Sequence, residues 1–367
     1  MFWDIFCRVI DNHGDLGVCW RLSTDLASRG HRVRLWVNDA RGLAWMAPQA
    51  GLNEAGWASL KTETGQIEVR PWNEKLVGAS ELANVWIEAF GCELPEHFLQ
   101  WASGALNAQS AQDPVWLNLE YLSAEPYVER SHRLPSPIMS GPLKGRTKWF
   151  FYPGFTEKTG GLLREEYMAD RLDVQLGAKL AETPSAMPKW PNKTSLFCYE
   201  PEALVEALQL SAFNRAGHLW QVAHGRGAAA FDKALQALPK GTPLPAFDKI
   251  PPLSQAEFDE LLQNSDLNFV RGEDSLVRAL WAGKALVWHI YPQDDGAHAV
   301  KLNAFLDWLE APPALRQFHL RWNGLSDLPL PDIDLISWQT CVLNARRRLM
   351  DQPDLVTQLL QFVAEKG

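Results

Sequence analysis

Phe2–Arg21 reads FWDIFCRVIDNHGDLGVCWR. The apolar run Phe2–Ile10, interrupted by Asp4 and Arg8, predicts a buried first strand, and the turn-forming residues Asp11 to Gly17 break it. Val18, Leu22, Leu26 and Ala27 then recur at helical spacing, so strand, glycine-containing turn and helix follow in order. That order opens a nucleotide-binding α/β domain, where ligands lie beyond the carboxyl ends of the strands. Asp11 and Asp15 sit in the turn. Each can serve as an ordinary turn or cap residue, or both can line a pocket. The glycines do not spell G-x-G-x-x-G, so no dinucleotide fingerprint is present.

Outward from this unit, 367 residues exceed what one core usually serves, and two domains are expected. A net charge of −9 speaks against a general nucleic-acid binder, for which a basic face is required. Cys7, Cys19, Cys92, Cys198 and Cys341 form no C-x-x-C pair, so reduced, buried thiols are expected and not a zinc knuckle or disulfide framework. With neither a leader-like start nor a membrane-length apolar run, the expectation is a cytoplasmic protein without a membrane partner. Most of the seventeen tryptophans should be core or crevice wall.

Strands are predicted at Arg32–Val37, Ile67–Pro71, Val85–Phe90, Val115–Leu119 and Trp149–Tyr152, giving a doubly wound domain over residues 1–155. Pro153–Glu165 is turn-rich, and 156–190 reads as the connection between domains. A second α/β rhythm fills 191–345. Its strands are Ser195–Tyr199, His218–Ala223, Leu267–Val270 and Ala285–Pro292, with Ile250–Pro252 extended; its helices are Pro201–Leu210, Gln255–Asn264, Leu276–Ala282 and one opened by His298. Asp294 and Asp295 start that last helix, and His289 reads as a core histidine. Residues 346–367 continue a helical pattern that breaks near Pro353 and can pack back on the first domain.

The strand Leu267–Val270 runs into Arg271-Gly272-Glu273-Asp274-Ser275. With Asp274 or Ser275 at the N-cap, the partial positive charge of the helix end suits either a plain cap or a phosphate. Carboxylates in the first half and a phosphate cradle in the second fit a transferase with a nucleotide-activated donor. A dehydrogenase lacks its fingerprint, and a kinase lacks its G-x-x-x-x-G-K-[ST] loop. A glycosyltransferase with another donor, such as a UDP-sugar, and a non-catalytic nucleotide-sugar-binding protein remain as alternatives.

Three motifs carry a family resemblance: Asp11-Asn12-His13-Gly14-Asp15-Leu16-Gly17-Val18, Pro153-Gly154-Phe155-Thr156-Glu157-Lys158-Thr159-Gly160-Gly161-Leu162, and Arg271–Ser275 with Arg278 and Trp281-Ala282-Gly283. Together they resemble the elongation factor P arginine rhamnosyltransferases, EarP. The resemblance implies a GT-B fold of two Rossmann-like domains facing a central cleft. It also implies an inverting transfer of rhamnose from dTDP-β-L-rhamnose to an arginine of elongation factor P, which activates that factor for polyproline translation, with no cofactor or metal.

By position, the family's acid pair falls on Asp11 and Asp15 and its third acid on Glu273. Arg271, Asp274 and Ser275 match its nucleotide-diphosphate loop, and Tyr199 and Gln255 its thymine or ribose contacts. Asn12, His13, Gly14, Gly17 and Gly272 complete the expected substrate contacts; at position 13 the family pattern calls for Tyr or Phe. A guanidinium is a poor nucleophile, with delocalised lone pairs and a pKa above about 12. Paired carboxylates can orient it and take its proton. Asp15 is assigned as base and Asp11 as the orienting partner, with swapped roles left open. Glu273 then meets sugar hydroxyls or steadies the acceptor.

Overall fold

The computed structural model describes residues 1–9, 13–72, 81–109, 113–165, 168, 188–293 and 296–367. The chain divides into two compact units, Met1–Met168 with Gln352–Gly367, and Ala169–Asp351.

In the first unit the strands are β1 (Phe2–Cys7), β2 (Arg32–Val37), β3 (Ala58–Lys61), β4 (Gln66–Pro71), β5 (Val85–Ala89), β6 (Val115–Leu119), β7 (Pro135–Pro137) and β8 (Thr147–Phe151). Its described helices are α1 (Gly14–Ser28), α2 (Leu43–Met46), α3 (Glu96–Gln109) and α4 (Pro126–Ser131). The sheet order is β3-β4-β2-β1-β5-β6-β8-β7. All neighbours are parallel except β3 on β4 and β7 on β8, two short antiparallel edges. Numbering the parallel strands alone gives 3-2-1-4-5-6, the doubly wound order whose switch point lies between β1 and β5.

Strand alternation splits β1 between two cores. Trp3, Ile5 and Cys7 pack with Leu16, Trp20, Leu22 and Leu26 of α1, while Phe2 and Phe6 pack with Phe98, Ala102 and Leu106 of α3. Asp4 is fully buried among them. Burial raises its carboxyl above the usual range, and Arg34 answers with two bonds of 2.6 and 2.7 Å, joined by the Trp36 indole at 2.8 Å. Strand β1 stops at Cys7, short of the expected Ile10, and the side chain of Asn38 pairs with the Val9 backbone at 2.7 and 3.0 Å.

The second unit holds β9 (Lys193–Leu196), β10 (Leu219–Ala223), β11 (Phe247–Ile250), β12 (Leu267–Arg271) and β13 (Ala285–His289). Its described helices are α5 (Leu204–Ala207), α6 (Arg226–Ala237), α7 (Gln255–Asn264), α8 (Asp274–Ala282), α9 (Ala297–Trp308), α10 (Pro313–Trp322) and α11 (Leu335–Met350). All five strands are parallel in the order β11-β10-β9-β12-β13, again 3-2-1-4-5 with the switch point between β9 and β12. The expected helix Pro201–Leu210 contracts to α5, because Gln209 and Leu210 bond to carbonyls three residues back and tighten the following turns. A capping box of Ser254 and Glu257 starts α7 at the expected residue.

The unit boundaries differ from the sequence expectation at both crossings. Pro153–Glu165 packs inside the first unit: Gly160 N–H bonds Tyr152 O at 2.7 Å, Gly154 N–H bonds Gly161 O at 3.2 Å, and Leu355 N–H bonds Leu162 O at 2.9 Å. A side chain on Gly161, at φ +70°, would stand 2.5 Å from Pro353 O. The glycines of this motif are explained by close packing, Gly154 against the Thr159 side chain, Gly160 against the Phe151 ring and Gly161 against the Pro353 backbone. At the other crossing the second unit runs to Asp351. Helix α12 (Leu355–Lys366) completes the first core with Leu355, Val356, Leu359, Phe362 and Val363. Arg29 bridges α1 to α12 through Asp25 and Asp354, at 3.0 and 2.8 Å.

Candidate functional site

Both switch points carry the residues singled out in the sequence. In the first unit Asp11 and Asn12 lie outside the described residues. His13 is the N-cap residue of α1, and its carbonyl accepts from Gly17 N–H at 2.9 Å. The His13 ring meets Trp45 edge-on at 5.9 Å and abuts Gly42, where a methyl group would stand 2.7 Å from Nδ1. Gly14 is exposed with open space around it, whereas Gly17 is buried. Asp15 lies in the first turn of α1, where the helix dipole favours a carboxylate.

Tyr121, just beyond β6, donates its phenol to Asp15 Oδ2 at 3.4 Å and stacks on Phe90, centroids 4.8 Å apart. Neither aromatic was predicted from the sequence. An aromatic after a buried strand looks like core until the strand order shows that β1, β5 and β6 end side by side.

In the second unit the loop after β12 is braced on every side. Arg271 is mostly buried; Nη1 donates to Cys198 O at 3.2 Å, and the guanidinium carbon lies over the rings of Phe197 and Tyr199 at 4.4 and 4.9 Å. Among the described residues it forms no ion pair with a carboxylate, and burial lowers its pKa. Ser275 Oγ accepts from Arg271 N–H at 3.1 Å and bonds Arg271 O in turn. Gly272, at φ +66°, has its carbonyl held by the Trp288 indole at 2.7 Å. The Tyr199 hydroxyl would lie 3.7 Å from a methyl group there.

Tyr199 is itself buried, against His289 at 5.2 Å and Tyr291 at 5.5 Å, and burial pushes its phenol up to about 12. The core placement expected of His289 holds, and burial pushes its imidazole down to about 3. Arg226, bidentate to Glu200 at 2.8 and 2.6 Å, covers the Tyr199 ring at 5.1 Å. Those bonds hold Glu200 below the usual carboxylate range. Gln255 opens α7 one turn before Phe258, whose ring packs against Phe197 at 5.4 Å.

One expectation needs correction. The N-cap of α8 is Glu273, not Asp274 or Ser275, and its carboxylate pairs with Lys301 of α9 rather than capping the helix. Asp274 is the first helical residue, while the Ser275 hydroxyl is spent on the Arg271 backbone. Arg278 is a buried brace, bidentate to Asp259 of α7 at 2.9 and 2.7 Å. Asp294 and Asp295 lie outside the described residues. Among those described, no helix is long and apolar enough to cross a membrane.

Residues 3–364 match the family model described as Elongation-Factor P (EF-P) rhamnosyltransferase EarP. The chain belongs to this family. Relatives named protein-arginine rhamnosyltransferase include that of Pseudomonas putida, 39% identical over 98% of both chains, and that of Pseudomonas aeruginosa, 37% identical over 99% of both. Among solved structures, one described as the structural basis for EarP-mediated arginine glycosylation of translation elongation factor EF-P is 27% identical, with a TM-score of 0.57, and covers 100% of this chain and 99% of its own. UGT89C1 of Arabidopsis thaliana complexed with UDP, 11% identical with a TM-score of 0.52, shares the fold over 99% of both chains. EarP membership makes this chain a glycosyltransferase, and its two doubly wound units are those of the GT-B class.

Proposed function

We propose that this chain moves rhamnose from dTDP-β-L-rhamnose to an arginine side chain of elongation factor P, in the cytoplasm, with inversion at the anomeric carbon. The observation that carries the donor half is Arg271, a largely buried cation with no ion-pair partner among the described residues, beside the first turn of an α-helix. Such a group is stabilised by an anion, and a diphosphate leaving group supplies one. Tyr199 and Gln255 then meet the base or ribose, with Gly272, Asp274 and Ser275 around the phosphates. Asp274 faces the phosphates with its backbone and not its carboxylate.

In the acceptor half, Asp15 takes a proton from the guanidinium as its nitrogen bonds to the anomeric carbon and the bond to the dTDP oxygen breaks. Asp11 orients the guanidinium, helped by Asn12 and the His13–Gly17 turn. Glu273, steadied by Lys301, meets sugar hydroxyls or the acceptor. The departing charge is taken by Arg271 and the α8 amino end with no metal step. The family description and the relatives' names support the sugar, the acceptor residue and the protein acceptor.

Intact mass of elongation factor P after incubation with the chain and dTDP-β-L-rhamnose tests the reading. One deoxyhexose on an arginine, formed equally in EDTA, is expected. No gain with any dTDP-sugar, or a loss on chelation restored by Mg²⁺ or Mn²⁺, would overturn the reaction or its metal independence respectively. Thermal shifts with dTDP and UDP separate the two donor classes.

A further inference from the structure

At the switch point of the first unit, three adjacent strands deliver three side chains to one place: β1 leads to Asp15, β5 to Phe90 and β6 to Tyr121. Phe90 has φ +58°, a left-handed conformation that costs a bulky residue free energy, and its N–H is tied to Leu119 O at 2.7 Å. Glycine follows it, yet the strained position carries a phenyl ring. That ring lies against Tyr121 at 4.8 Å and 24°, backing one face of the tyrosine. Tyr121 is nevertheless 43% exposed, and its phenol reaches the Asp15 carboxylate.

Resting on the reading of the reaction given above, we infer that Tyr121, backed by Phe90, is the aromatic face on which the acceptor guanidinium lies while Asp15 binds its edge. A guanidinium is planar, weakly hydrated and stacks on aromatic rings, whereas an ammonium is a compact, strongly hydrated point charge. A carboxylate alone attracts both. A ring face beside the carboxylate selects the plane, holds one nitrogen in a fixed direction and discriminates arginine from lysine. The phenol contact with Asp15 shows that the two parts of the clamp lie side by side.

The test uses the full chain with elongation factor P and dTDP-β-L-rhamnose, measuring acceptor and donor KM separately. Tyr121→Leu is expected to raise acceptor KM about tenfold, the span of a partly desolvated cation–π contact, and to leave donor KM unchanged. Tyr121→Phe keeps the face and stays within about twofold. A second measurement needs no variant: methylguanidinium should compete with the acceptor on the unmodified chain at least about tenfold better than methylammonium. Equal inhibition by the two cations, an unchanged acceptor KM in a folded Tyr121→Leu, or a change confined to donor KM would overturn the inference. An unmodified chain that transfers no sugar would overturn the reaction and this inference together; an active one with those results would overturn only the inference.

Discussion

The β1–α1 turn and the β12–α8 turn each border the switch point of their sheet, one after strand position 1 and the other after position 4, and their described residues are held in different ways. Around the first, His13 and Gly14 are exposed and Asp15 is met from outside its own strand–turn–helix unit by Tyr121. In the second, the Ser275 hydroxyl, the Trp288 indole, Lys301 and the Cys198 carbonyl each hold one residue of Arg271–Ser275. A leaving group whose position is always the same rewards dipoles fixed in advance. On the proposed reading, a side chain presented by another protein must instead enter, be gripped and leave. The fold supplies the two places, and on the proposed reading the side chains decide which becomes a cradle and which a landing.

The largest test of that contrast is Asp15→Asn. It should lower transfer by about 10²–10⁴, the usual worth of a general base, with the dTDP thermal shift unchanged; retained transfer would break the division of labour. Next, Arg271→Met should raise donor KM about 10- to 100-fold, the cost of charged hydrogen bonds, and leave acceptor KM alone. Arg271→Lys should not restore it, since lysine cannot spread over Phe197 and Tyr199.

Smaller effects concern the units that carry the turns. Gly161→Ala combines a left-handed φ with a 2.5 Å approach to Pro353 O. It should cost about 1–3 kcal/mol, read as faster amide exchange in the first unit and not the second.

The smallest is a pH effect. Burial holds His218, His289 and His319 of the second unit at about 4, 3 and 4, and the first unit has His132 at about 4 with His31 also lowered. The unfolded chain protonates these rings near 6.5, so stability present above that pH falls as the pH drops towards the folded values. Asp25 in the first unit acts oppositely, because burial raises it to about 6 and the folded state takes that proton first. Between pH 7 and 5 the second unit should therefore loosen first, read as a larger rise in amide exchange there than in the first unit.

Much of this was legible in the sequence for a local reason. The period-two and period-3.6 patterns of β1, α1, β2 and β6 are carried by residues close in sequence, and a capping box marks α7. The edge strands β3 and β7 escaped because their residues are half exposed and lack an apolar run. Residues 156–165 read as part of a connection because turn residues look alike whether they face water or, as here, pack inside the first unit. Arg271, Gly272, Glu273 and Ser275 were found, but the bracing of their loop was not, since Cys198, Trp288 and Lys301 reach Arg271, Gly272 and Glu273 only through strand order and helix packing. Tyr121 stayed hidden for the same reason.

Helix α12 carries a consequence for biosynthesis. The first unit is discontinuous: its opening residues leave the ribosome before the whole second unit is made, and the helix that fills its core follows afterwards. The part translated first is therefore completed last, holding an unfilled apolar groove beneath α1 until Leu355 and Phe362 arrive. A pause or truncation before residue 352 would leave the second unit able to close while the half bearing Asp15 waits, exposed to chaperones and proteases.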